Sequence, residues 1–163
     1  GIDLEVTCRG HPASPESLRA LDEALAGERR VQTDTIKGTA SWQFGTEINT
    51  KGLQVRGRSM QMAVLRGREQ IFSIDKGTGL LRPTFAGWDL IPEGYRVRID
   101  EFVPQGDVLA PGVVDCDPRI REGDEVLVEG PLAVATGRAM MGADEMLRSK
   151  RGVAVRVRKV KKT

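Results

Sequence analysis

Gly106-Asp-Val-Leu-Ala-Pro-Gly112-Val-Val-Asp115, then Ile120-Arg-Glu-Gly-Asp-Glu-Val-Leu-Val128, then Ala133-Val-Ala-Thr-Gly-Arg-Ala139, and last Gly152-Val-Ala-Val-Arg-Val-Arg-Lys-Val160: these four phrases, in this order, decide the fold. Gly123-Asp124 is a turn that launches a short apolar run, and Glu129-Gly130-Pro131 is a second turn into the next run. Between them and the end, Ala143 to Lys150 reads as a short helix with Asp144 and Glu145 at its acidic start and Arg148 and Lys150 at its close. From Val153 the alternation is strict, with Val153, Val155 and Val157 on one face and Arg156 and Arg158 on the other. That pattern predicts a half-buried strand showing guanidinium groups to water.

Outward from this stretch, composition sets the limits. A chain of 163 residues suits one domain or two small ones, and 29% charged against 39% hydrophobic residues is an ordinary globular balance. No run of eighteen or more apolar residues occurs, so no membrane is expected as a partner. The start, Gly-Ile-Asp-Leu-Glu, has neither the basic flank nor the apolar stretch of a secretory signal, which predicts a cytoplasmic protein. It also lacks an initiator Met, which reads as a tag scar or a piece of something longer. Net charge is only +2, but from Met146 onward there is no acidic residue against eight cations, among them Lys150, Arg151, Arg156, Arg158 and Lys159. A one-signed patch on a near-neutral chain is the footprint of a nucleic-acid surface. The tail from Lys161 is read as a solvated end.

Earlier in the chain, Ser14-Pro15-Glu16 is a helix start, Leu18, Leu21 and Leu25 form an apolar stripe, and Gly27 is the expected stop. Asp3 to Cys8 reads as a strand or extended lead-in. Short strands are expected at 40–44, 54–55, 61–65, 70–74, 80–85 and 96–99, a brief helix at 86–90, and turns at Arg66-Gly-Arg68 and Lys76-Gly-Thr-Gly79. The latter lacks the Walker spacing and is a hairpin turn, not a phosphate loop.

The phrases of the opening stretch resemble the PUA domain, the RNA-binding module named after pseudouridine synthases and archaeosine transglycosylases. Its most specific parts are Ala110-Pro-Gly-Val-Val-Asp115, Arg121-Glu-Gly-Asp-Glu-Val126 and Arg151-Gly-Val-Ala-Val-Arg156. A second likeness covers Trp42-Gln-Phe-Gly45, Val55-Arg-Gly-Arg-Ser59, Gly79-Leu-Leu-Arg-Pro-Thr-Phe-Ala-Gly87 and Tyr95-Arg-Val-Arg-Ile-Asp100. These resemble the domain preceding the PUA module in archaeal tRNA-guanine transglycosylases and, still more, in the related archaeosine synthases. The resemblance implies an α+β chain: a small pre-PUA α/β-sheet domain over 1–95, then a PUA-type mixed β-barrel over 96–163. It implies RNA, above all tRNA, as partner, with an upstream catalytic domain in the full-length protein. The Lys-Pro-Tyr motif that an archaeosine synthase uses to attack its nitrile-bearing base is absent here.

The residues themselves offer no catalytic set. His11 is the single histidine, so no Ser/His/Asp arrangement can be assembled, and Cys8, His11 and distant Cys116 do not make a four-ligand metal site or suggest a disulfide. Asp115 with Asp117 and Glu122 with Asp124 are paired carboxylates in turns, where acidic residues serve the backbone. No cofactor is expected. The reading is a tRNA-binding module of an archaeosine-pathway enzyme, with two alternatives open: a free-standing PUA protein of ribosomes or other RNA, and a complete small enzyme, which the missing catalytic set disfavours.

Within that reading the RNA surface is a cleft between the Pro111-Gly112 turn and the last strand. A helix starting after Gly112 would aim N–H groups at a phosphate, with Arg156, Arg158 and Lys159 alongside, Lys150 and Arg151 at the mouth and Arg138 on the flank. Arg56, Arg58, Arg66 and Arg68 extend the track in outline. With aromatics at 4%, base stacking is not the expected mode, and Trp42, Trp88, Phe72 and Phe85 are read as core.

Overall fold

A computed structural model describes residues 7–8, 11–12, 14–57 and 62–163. Strands β1 (Thr7–Cys8) and β2 (His11–Pro12) pair as a minimal hairpin ahead of helix α1 (Pro15–Phe44). The Asp3–Cys8 lead-in, Arg58 and Ser59 fall wholly or partly outside the described residues.

Helix α1 begins as its sequence dictates. The Ser14 hydroxyl accepts the Ser17 N–H at 3.2 Å and Pro15 occupies the first turn, where its missing N–H costs nothing. It does not stop at Gly27. It runs 30 residues, roughly 45 Å, to Phe44, and ends where Gly45 turns left-handed (φ 65°) and gives its N–H to the Ser41 carbonyl at 2.9 Å. A glycine inside a helix costs only about 1 kcal/mol, which tertiary packing easily offsets. Here Ile36, Ala40 and Phe44, four residues apart, are all buried against the following sheet. Residues 40–44, expected as a strand, are therefore the last turn of α1. The expected packing stripe is corrected too: Leu18 and Leu21 are 37% and 46% exposed, and the side chain of Leu25 lies outside the described set.

Strands β3 (Leu53–Arg56), β4 (Ala63–Arg66), β5 (Glu69–Ile74) and β6 (Leu81–Pro83) form an antiparallel sheet in that order. Phe44, Val64, Ile71, Phe72, Leu81 and Ile91 fill the space under α1 and the short helix α2 (Phe85–Trp88). Gln43 pins helix to sheet at both ends of its amide, donating to the Leu81 carbonyl at 2.7 Å and accepting the Leu81 N–H at 2.9 Å.

The second sheet has six strands: β7 (Arg96–Ile99), β8 (Val108–Leu109), β9 (Val113–Cys116), β10 (Glu125–Glu129), β11 (Ala133–Ala139) and β12 (Val153–Lys162). Their order is β8-β12-β11-β10-β7-β9, with β10 and β7 parallel and the other pairs antiparallel, so the sheet is mixed and curls nearly into a barrel. A 3-10 turn (Ala110–Gly112) and helix α3 (Ala143–Arg148) complete this unit. The expected separation of two sheets and the helix at 144–148 are both present.

Strand β10 joins the units. Val126 and Val128 point into the barrel core, while Leu127, on the opposite face, belongs to the core of the first unit. All residues from Glu125 to Val128 are consequently buried. Tyr95, at the crossing point, packs on both cores and sits at φ 55°, a backbone region that an L-residue occupies only when its surroundings hold it. Its N–H donates to Asp117 Oδ2 at 2.7 Å, and its carbonyl accepts the Leu127 N–H at 3.0 Å.

The pairing of β11 with β12 slips by one residue at Gly137, where Gly137 faces Val157, Thr136 faces Lys159, and Arg158 has no opposite. A Cβ on Gly137 would lie 2.5 Å from the Arg156 carbonyl oxygen, so this bulge depends on glycine. Gly137→Ala is expected to cost about 2 kcal/mol through overpacking, read as a lower denaturant midpoint at unchanged m-value.

Candidate nucleic-acid interface

Two kinds of cation surround β11 and β12, and their partners separate them. Glu125 begins β10 and is 3% exposed. Register places it beside Arg138, and Arg138 beside Arg156, so the three form a row on the outer face of the sheet. The Arg158 guanidinium grips both oxygens of Glu125, one of them at 3.1 Å, and Arg138 Nε lies 3.4 Å from Glu125 Oε1. Arg138 also reaches Asp75 Oδ2 at 3.4 Å, in the turn after β5, and Asp75 is held in turn by Arg82. Arg82, Asp75, Arg138, Glu125 and Arg158 thus make one chain of charge from the first sheet to the second. Strict alternation predicts Arg158 as an open guanidinium on this face; it is on this face but paired to the buried carboxylate of Glu125. A buried carboxylate left unpaired is costly, so this geometry is structural.

The second kind is open. Lys150, Arg151, Arg156 and Lys159 are exposed, and among the described residues none of the four is in an ion pair. Because the bulge consumes Arg158, Lys159 and Lys161 pair with Thr136 and Val134 and join Arg156 on the outer face. The expected solvated tail is corrected with it: β12 runs to Lys162, and Thr163 donates its N–H to the Leu132 carbonyl at 3.1 Å. Composition placed Lys161 in the tail; only the slipped register could place it in the row.

Near the start of β12, the Ala110 N–H donates to the Gly152 carbonyl at 2.9 Å, which sets exposed Pro111 against the loop bearing Lys150 and Arg151. No helix starts after Gly112; the 3-10 turn ends there and β9 follows. Gly112 is half-buried, and a Cβ there would meet the Phe102 ring at 2.9 Å, so the close approach of that ring requires glycine. The turn brings Pro111, Lys150 and Arg151 together, while Arg138, Arg156, Arg158 and Lys159 lie along the outer face of the strands. Of the extended track, Arg66 donates to the Asn49 carbonyl at 2.9 Å and Arg56 to Gln54 at 3.2 Å, while Arg58 is outside the described residues.

The acidic pairs serve the backbone. Asp117 accepts from Tyr95, from the Arg119 N–H at 2.9 Å and from the Arg119 guanidinium, and Asp124 accepts the Arg121 N–H at 2.8 Å. Burial opposes ionisation of Asp117, but these donors hold its carboxyl below the usual range. Cys116 is a buried thiol, and burial with nearby carboxylates pushes its pKa up. Among the described residues no three His, Cys, Asp or Glu side chains cluster to hold a metal, and no helix is long and apolar enough to cross a membrane. Three of the four aromatics expected in the core pack there; Trp42 is the exception, 78% exposed on the last turn of α1.

With this geometry in view, the PUA domain family matches residues 96–161. Archaeosine synthase subunit alpha of Methanosarcina acetivorans is 38% identical over 183 aligned positions, taking in 99% of this chain and 29% of the relative. The archaeosine synthase of Haloferax volcanii is 37% identical over 98% of this chain and 30% of the relative. The chain therefore spans under a third of the length of these curated relatives. A conserved PUA domain protein from Thermoplasma acidophilum has a similar solved structure, with a TM-score of 0.61 at 28% identity over 78% of this chain and 87% of that one.

The network gives a pH signature. Burial opposes the charge on Asp75, but the N–H groups of Thr78 and Gly77, the Thr78 hydroxyl and Arg82 bring its pKa down from 3.8 to about 2. A carboxyl depressed in the folded state lends stability that is full above the unfolded pKa and is lost as pH falls through the folded one. About 2 kcal/mol should therefore disappear between roughly pH 5 and pH 2. Urea melts across that range check it, and Asp75→Asn should flatten the profile.

Proposed function

We propose that this chain, which carries a PUA domain over residues 96–161 and matches archaeosine synthases along nearly its whole length, is the tRNA-holding module of an archaeosine-pathway enzyme. The observation that carries the reading is the set of open cations, Lys150, Arg151, Arg156 and Lys159, beside the exposed Pro111 turn. Arg presents a planar fork suited to phosphate oxygens, and Lys adds a mobile point charge; neither carries sequence information. Binding of this kind reads shape and phosphate spacing, as a module that presents a folded RNA to a separate active site must. Arg138 and Arg158 contribute field from behind, already paired to Glu125 and Asp75.

The family match over 96–161 and the two separate sheets support a division at 95/96 into a pre-PUA and a PUA domain. Chemistry would then belong to the seven-tenths of the relatives' length that this chain does not match, and a cytoplasmic setting follows from tRNA as the substrate. The names of those relatives favour this reading over a free-standing ribosomal PUA protein.

The test is tRNA affinity measured against salt concentration. Arg151→Ala with Arg156→Ala should weaken binding at least tenfold at moderate salt, and lower the slope of log K against log salt by about 1.4–1.8 for two lost phosphate contacts. Its melting temperature should match the parent's, because neither side chain is in an ion pair. Unchanged affinity and slope would sink the proposed surface. Arg158→Ala should behave differently: it strips a buried carboxylate of its main partner, and should cost about 3 kcal/mol of folding stability.

A further inference from the structure

The phrase Trp42-Gln-Phe-Gly45 leaves one residue that the fold does not use. Phe44 is core, Gln43 clamps Leu81 and Gly45 closes the helix, but Trp42 is 78% exposed between them. Its backbone is nevertheless fixed, because Ala40 and Phe44 on either side are 0% and 1% exposed. An indole displayed to water from a fixed helix turn has no folding role. Large apolar side chains left open on an ordered element mark contact sites when other recognition groups converge on them.

Here they do. Trp42 forms one wall of a cavity of about 660 Å3 at the junction of the two units, with Leu80, Tyr95, Pro118, Arg119 and Arg121 among its lining. That volume is within the range of about 300–1,000 Å3 that small ligands occupy. Arg119 is fixed by Asp117 and lies over the Tyr95 ring at 5.4 Å, so its guanidinium plane is already oriented. Arg121 is exposed and, among the described residues, its guanidinium is in no ion pair or hydrogen bond, while its backbone N–H is engaged by Asp124. The junction is also where the backbone is strained, at Tyr95. An indole face, an oriented guanidinium and an open one are the groups that stack on nucleobases and hold the phosphate that follows. A protein partner would need a broader apolar rim than Trp42, Leu80 and Pro118 supply.

We propose that Trp42, with Arg121 in the same cavity, is a stacking platform that takes one unpaired nucleotide of the RNA into the cleft between the two units. The proposal rests on the RNA-holding reading above and adds to it a second contact, sensitive to strandedness and carried by the first unit. The phosphate surface on the barrel would hold a duplex by shape; the Trp42 cleft would take a base that is out of its stack.

Two RNA hairpins with identical stems test it, one blunt and one with a short single-stranded 3′ tail. Trp88 is 2% exposed and serves as a silent reference, so quenching of tryptophan emission reports Trp42. The tailed hairpin should quench it and the blunt one should not. Trp42→Ala should weaken the tailed hairpin about tenfold, leave the blunt one and its salt slope unchanged, and melt with the parent; Trp42→Phe should recover part of the loss. If Trp42→Ala binds both hairpins as the parent does, the platform is wrong while the RNA-holding reading stands. If the parent binds neither hairpin nor tRNA, both fail together. If Trp42→Ala leaves RNA binding intact and instead converts a self-associated chain to monomer, the indole is a protein contact and the proposal is overturned.

Discussion

From Glu125 to Val128 strand β10 has no solvent face, and the arrangement of both units follows from that. Val126 and Val128 close the barrel core, while Glu125 and Leu127 point the other way into the first unit. Leu127 belongs there by ordinary apolar burial. Glu125 does not, and a carboxylate taken out of water must be matched by donors or it destabilises the fold by several kcal/mol. Arg158 and Arg138 supply the match, and Arg138 extends it to Asp75 of the other sheet. Apolar packing brings the units together; the charge chain fixes how they meet.

That requirement divides the arginines by task. Arg96 lies 5.3 Å over the Trp88 ring, donates to the Ile91 and Gly94 carbonyls at 2.6 Å and lies 3.7 Å from Glu129, all at the junction. Arg82, Arg138 and Arg158 are committed to the carboxylates of Asp75 and Glu125, and Arg119 to Asp117 and Tyr95. Around β12 and in the loop before it, Lys150, Arg151, Arg156 and Lys159 remain open, as does Arg121 at the junction. A net charge of +2 is thus compatible with a locally basic surface, because Asp75, Asp117, Asp124 and Glu125 are engaged in turns or at the junction and no described ion pair reaches Lys150, Arg151, Arg156 or Lys159.

The junction itself is built from strained and polar parts, not from a wide apolar interface. Tyr95 holds a left-handed backbone because Asp117, the Phe44 ring, edge-on with centroids 5.7 Å apart, and the Arg119 guanidinium fix it from three sides. The junction leaves a cleft beside it, with Trp42 among its lining.

Local signals in the sequence determined most of the second unit. Alternation found β12, Gly-Asp and Gly-Pro placed turns beside β10 and β11, and the acidic start with a basic end found α3, because each depends on residues close in the chain. The same signals set the start of α1 at Ser14 and the two hairpin turns of the first sheet. Tertiary structure decided the rest. Gly27 reads as a stop until Ile36, Ala40 and Phe44 find a sheet to bury against, which carries the helix through residues 40–44. Trp42 reads as core because a Trp in a motif usually is; which side of α1 meets the sheet is fixed by packing alone. The bulge at Gly137 needs two strands to exist, yet it decides which of Arg158, Lys159 and Lys161 meets a carboxylate and which meets water. A strand's own sequence sets the period of its side chains. Only the partner strand sets where that period slips.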